Sequence, residues 1–157
     1  NQFSKKVNMV FETDLELMFP NDFINSSKER LNLYTKLNKI TGQDELDSFK
    51  AELIDRFGAL PNIVDELLKT IELRWLSAEL GFDKIVLKKN ILIGYIMNFD
   101  SEEQKIHLDR LFKYSLNNQN SISFSQKKFN DGEKFIVKIQ KINSISKAIQ
   151  VLSEVKD

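Results

Sequence analysis

The chain has no cysteine and a single histidine, His107, among its 157 residues. The first absence excludes disulfides, thiolate metal sites and thiol catalysis, and suits a reducing compartment. The second excludes any metal site built on a pair of histidines. Glycine is also scarce, and none of the five is followed by lysine. A phosphate-cradling GxxxxGK[ST] loop is therefore absent, as is any GxGxxG. No apolar run approaches the roughly 20 residues that span a bilayer. The chain opens Asn1-Gln2-Phe3, with neither an initiator methionine nor a charged-then-apolar leader. That opening sets the expectation of a cytoplasmic piece of a longer protein, without membrane contact.

What is present fits one ordinary domain with a sizeable core. Hydrophobic residues make up 41%, charged residues 29%, and twelve phenylalanines make aromatic packing important. Net charge is zero but unevenly placed. Residues 1–81 hold 10 basic against 14 acidic groups, a net −4, and residues 82–157 hold 13 against 9, a net +4. A difference this small reads first as a solvated surface, and only second as a basic face for nucleic acid or an acidic face for a basic partner.

Residues 1–9 are polar and read as a linker or fraying terminus. Alternation from Val10 to Met18 predicts a short strand, broken at Phe19-Pro20. Ser26 with Glu29 forms a capping box for a helix carrying Leu33, Leu37 and Ile40, which Gly42 is expected to end. A second helix runs from about Asp44 to Phe57 with Leu46, Phe49, Leu53 and Phe57 on one face, stopped by Gly58. Pro61 begins a third that reaches Leu80.

After Gly81 the period changes. Lys84–Leu87 and Ile91–Met97 read as a hairpin through Lys88-Lys89-Asn90. Ser101 with Gln104 caps a helix bearing Leu108 and Leu111. A polar loop leads to a short edge strand ending near Gln126, and Asn130-Asp131-Gly132 turns into a strand with Phe135, Val137 and Ile139. Asn143 or Ser144 caps a last helix with Ile145, Ile149, Leu152 and Val155 on one face. The fold class is α+β: a three-helix region packed with a small, mostly antiparallel sheet of about 4–5 strands and further helices. A helical half, 10–81, and a strand-strand-helix half, 82–157, make one domain.

Catalytic chemistry is hard to assemble from these residues. Ile63-Val64-Asp65-Glu66 resembles an apolar run ending in a magnesium-binding acidic pair, but no phosphate loop accompanies it. His107 reads as a helix-surface or partly buried residue. No cofactor is expected. Glu52, Asp55 and Arg56, at i, i+3 and i+4, form a compact charged cluster, which by itself reads as a self-compensating surface group. Lys127-Lys128 with Phe124 and Phe129 is the nearest approach to a basic-aromatic nucleic-acid surface, with Lys84, Lys88 and Lys89 as further cations. A charged edge strand that discourages aggregation is the simpler account.

Leu15-Glu16-Leu17, Pro20-Asn21-Asp22-Phe23-Ile24, Arg30-Leu31-Asn32-Leu33-Tyr34 and Glu52-Leu53-Ile54-Asp55-Arg56-Phe57-Gly58-Ala59-Leu60-Pro61 occur in this order. Together they resemble the C-terminal domain of bacterial transcription-repair coupling factor, from Leu15 to Gly81. Beyond Phe82 only the general plan is similar. The resemblance implies a non-catalytic regulatory domain of an ATP-dependent DNA translocase whose motor motifs lie upstream. It further implies docking on the N-terminal module that binds the excision-repair damage-recognition protein, with RNA polymerase and DNA met only through the parent. Glu52, Asp55 and Arg56 are the positions carried over as the docking face, and Leu31, Tyr34, Phe57 and Leu60 are assigned to the core. Thr35-Lys36 departs from the paired basic residues common in the family. The alternative function is a nucleic-acid-binding accessory module using Lys88, Lys89, Lys127 and Lys128.

Overall fold

A computed structural model describes residues 9–157. Residues 1–8 of the expected terminal linker lie outside the described residues, and its ninth, Met9, is buried in the core. The elements run β1 (Val10–Thr13), α1 (Ser27–Asn38), α2 (Gln43–Phe57), α3 (Asn62–Glu79), β2 (Lys84–Lys88), β3 (Ile91–Met97), α4 (Glu102–Ser115), β4 (Ile122–Phe129), β5 (Gly132–Ile139) and α5 (Ile145–Lys156). This is the expected α+β class.

The five strands form one mixed sheet in the order β1-β2-β3-β5-β4. β1 pairs with β2 in parallel, and every other neighbouring pair is antiparallel. β1 thus belongs to the sheet of the second half, and the three-helix region is inserted between two adjacent strands. β1 is also shorter than the alternation to Met18 suggests. The register matches Val10–Thr13 to Lys84–Leu87, after which β2 enters its hairpin turn and Asp14 closes the pairing, its N–H donating to the Leu87 carbonyl and its carboxylate accepting the Lys89 N–H. Leu15 and Leu17 still pack against the core, which preserves their alternation outside the ladder.

Local chemistry sets the other boundaries. Lys89 and Asn90 adopt φ of 53° and 63°, the left-handed pair that a two-residue hairpin needs to match strand twist. β4 is longer than the short edge strand expected and runs on through Lys127 and Lys128 to Phe129. Ser26, Ser101 and Ser144 each accept a backbone N–H as helix N-caps. The capping boxes are half-formed, because the Glu29 carboxylate turns to Arg56 and the Gln104 amide donates to the Gly81 and Met97 carbonyls. Gly42 does not end α1. The helix stops at Asn38 with Lys39 as C-cap, and Gly42, in extended backbone, is the N-cap of α2. Gly58 does end α2: at φ +94° its N–H reaches the Ile54 carbonyl at 2.9 Å.

The apolar interior divides in two around α3. One cluster joins Phe19, Ile24, Leu33, Leu37, Leu46, Phe49 and Leu53 to Val64, Leu68 and Trp75 of α3. The other lies between the sheet and its helices, and takes Leu73 and Leu80 from the same region. α3 is therefore a wall common to both cores. Its start reaches the start of α5 through Glu66, and its end reaches the end of α5 through Glu79 and Lys156, 2.5 Å apart, so the helices run side by side in one direction.

Candidate functional site

The buried stripe of α2, Leu46, Phe49 and Leu53, dictates what the helix shows outside. Flanking that stripe, Glu52 and Arg56 reach Lys36 and Glu29 of α1. Glu52 accepts from Lys36 Nζ at 2.5 Å through Oε1 and from Arg56 Nη1 at 3.0 Å through Oε2. The other guanidinium nitrogen, Nη2, meets Glu29. Lys36, Glu52, Arg56 and Glu29 thus form an ion chain across α1 and α2, and the Arg56 guanidinium also lies 4.8 Å from the centre of the Phe57 ring. Arginine suits this place because its planar fork engages two carboxylates at once.

Of the three expected docking residues, the structure joins Glu52 and Arg56. Asp55 is exposed on the same helix and makes no ion pair among the described residues. Beside the ion chain, a groove of about 380 Å³ is lined by Ile40 and Phe49 together with Lys36, Lys39, Glu45 and Glu52 among its charged residues. Tyr34, Phe57 and Leu60 pack partly buried against the helical core, and the Tyr34 hydroxyl accepts from the Phe19 N–H at 2.8 Å. Leu31 does not belong there: it is 66% exposed. Two positions from the buried Leu33, it stands about 200° round the helix, facing water.

The basic residues of the alternative reading are divided. Lys88 and Lys127 stand on one face of the sheet, Lys128 on the other, opposite Glu133, and Lys89 sits in the hairpin turn. Lys88 and Lys84 are both within salt-bridge distance of Glu12. Phe124 is taken up by packing against Phe112 and Phe135. Among the described residues, no group of three or more His, Asp or Glu could hold a metal ion, and no helix is long and apolar enough to cross a membrane.

Sequence reasoning missed Glu66, which is 7% exposed. It accepts the Ile145 N–H at 2.7 Å, and the Ser146 N–H and hydroxyl at 3.2 and 2.5 Å. The acidic pair Asp65-Glu66 is thus split: Asp65 pairs with Lys50 and Lys69 on the surface, while Glu66 holds the start of α5. An acid seven positions before Leu73, on the face of α3 that Leu73 turns toward the sheet core, was the available signal.

His107 is half-buried against Gly81. Burial, and secondarily Arg110, holds its pKa below the ordinary 6.5. The unfolded chain therefore binds more protons than the folded one between the lowered value and 6.5, so stability rises with pH through that window and levels off above it. We predict that His107→Gln makes the melting temperature less sensitive to a change from pH 7.5 to 5.5. Equal sensitivity in the two proteins refutes this.

These features define an α+β domain whose helical layer is threaded into a sheet and carries a paired-charge surface. A family model for the TRCF domain matches residues 13–110. The chain belongs to the TRCF domain family. The transcription-repair-coupling factor of Escherichia coli (strain K12) is 37% identical over 78 residues, 47% of this chain and 7% of that protein. That of Buchnera aphidicola subsp. Baizongia pistaciae is 28% identical over 131 residues, 78% of this chain and 18% of that protein. The chain therefore spans a small part of these relatives. A crystal structure of the C-terminal domain of transcription-repair coupling factor has the same fold, with a TM-score of 0.63, 16% identity and 94% of each chain covered.

Proposed function

We propose that residues 10–157 are the non-catalytic, autoinhibitory C-terminal domain of a cytoplasmic transcription-repair coupling factor. In this reading Glu52, Asp55 and Arg56 dock on the N-terminal module that binds the excision-repair damage-recognition protein. Docking hides that module and restrains the translocase until RNA polymerase is engaged. The observation that carries the reading is the ion chain fixed on α1 and α2, whose Lys36 and Glu52 also line a groove between those helices. Its helices are held by a buried core, so a partner meets a preformed surface, and its charged character suits a contact that must release. The unpaired Asp55 carboxylate gives the surface an acidic edge toward a basic partner.

Reversing charge at Glu52 and Asp55 in the full-length protein is expected to raise basal ATPase activity. It should also tighten binding to the damage-recognition protein by about fivefold or more, the low end of an allosteric coupling of about 1–3 kcal/mol. If neither changes while the variant remains folded, the docking assignment fails.

A further inference from the structure

All of the helices that pack on the sheet lie on one side of it. Phe11, Ile85, Leu87, Leu92, Ile96, Phe135, Val137 and Ile139 point inward to that core. The residues alternating with them form the other face, and none of these is buried among the described residues. Its middle is apolar: Ile91, Ile93, Tyr95 and Met97 on β3, flanked by Val86 on β2 and Ile136 on β5. Lys84 and Lys88 stand at either side of Val86, and Lys134 and Lys138 at either side of Ile136. Lys127 adds a fifth cation on β4, opposite Lys134. Against these five lysines stand two acids: Glu12 on β1, within reach of Lys84 and Lys88, and Asp131 in the turn before β5, 3.4 Å from Lys134.

We propose that this face docks an acidic amphipathic α-helix laid along β3, its apolar stripe on the Ile93–Tyr95 row and its carboxylates on the two lysine rows. The dimensions agree. Two strand spacings put the lysine rows about 9.6 Å apart, close to the roughly 10–12 Å width of a helix with its side chains. Within each row the lysines are four residues apart, about 13 Å along the strand. Acids seven or eight positions apart on a helix are spaced about 10–12 Å, a difference that flexible lysine stems absorb.

The chemistry selects the same occupant. A single-stranded nucleic acid draws its affinity from stacking on aromatic faces and from phosphate contacts. Here the centre is chiefly aliphatic. The two aromatic rings are already approached by cations, Lys84 at 5.8 Å from the Tyr95 ring and Lys127 and Lys134 at 5.6 and 5.3 Å from Phe129. A partner both apolar and acidic satisfies the middle and the rim together, as helix-in-groove recognition does.

The test titrates the isotope-labelled 157-residue chain with a designed helical peptide of about 18 residues, having a leucine stripe flanked by glutamates. The controls are the same peptide with lysine flanks and an oligothymidylate. The glutamate peptide should shift the amide resonances of Ile93, Tyr95 and Ile136 and bind at least about tenfold tighter than the lysine peptide. The double variant Lys88→Glu and Lys138→Glu, changed at exposed positions, should weaken it by about tenfold or more. Equal binding of both peptides, shifts confined to the helices, or tighter binding of the oligothymidylate to this face would overturn the proposal.

Discussion

Glu66→Ala is expected to cost about 3–5 kcal/mol of folding stability, because it removes the acceptor for three donors at once. The Ile145 N–H is buried and would be left unpaired, which alone is worth about 1–3 kcal/mol. The Ser146 N–H and hydroxyl also lose their partner, although water can reach them in part. The carboxylate further complements the positive end of α5, an effect that the neutral variant loses. For a domain stabilised by about 5–15 kcal/mol in total, this is a large fraction. Glu66→Gln keeps one acceptor oxygen and should lose roughly half as much.

The position of Glu66 gives the prediction a second readout. It ties the wall between the two cores to α5, whose Ala148, Val151, Leu152 and Val155 belong to the sheet core. Trp75, the single tryptophan, is 8% exposed in the helical core and reports on the other side. In urea, tryptophan fluorescence and far-ultraviolet circular dichroism should give coincident transitions for the parent chain. In Glu66→Ala the sheet side should melt first, separating the two signals. An unchanged midpoint would show that α5 is held without Glu66, and coincident transitions at a lower midpoint would show that the two cores unfold as one unit.

What the sequence discloses about this chain is whatever local rules govern. The serine caps, the stop at Gly58, the hairpin through Lys89-Asn90 and the stripe of α2 all depend on residues within one or two turns of each other, and the structure keeps them. The i, i+4 pair of Glu52 and Arg56 is legible for the same reason. Their other partners, Lys36 and Glu29, come from a different helix and depend on how α1 docks against α2. The parallel pairing of β1 with β2 joins residues separated by more than 70 positions, beyond any periodicity argument. Leu31 shows the opposite failure, since the family motif points to the core where helical geometry already puts the side chain opposite Leu33. The lysine-rimmed face combines both kinds of information. Alternation within β5 separates Lys134, Ile136 and Lys138 from the core residues, but only the register brings them beside β3.

That register also fixes the second large effect, at Gly94. The residue lies on the inner side of β3 between Leu92 and Ile96, where alternation calls for an apolar side chain. A β-carbon added there would lie 2.3 Å from Cε1 and 2.6 Å from Cδ1 of Phe82, so the phenyl ring occupies the space that a side chain would take. Phe82 is 5% exposed and has little room to retreat. Gly94→Ala should therefore destabilise the chain by about 3 kcal/mol, near the upper end of ordinary overpacking. Phe82→Leu alone should also destabilise, through lost packing, but it removes ring atoms from the collision. The double variant should then be more stable than the sum of the single losses by about 1–2 kcal/mol, the mark of two residues in direct contact. Urea unfolding of the four proteins measures that difference. Additive losses would mean that Gly94 serves the β3 backbone rather than the Phe82 ring, since relief by the smaller side chain requires the two to compete for one space.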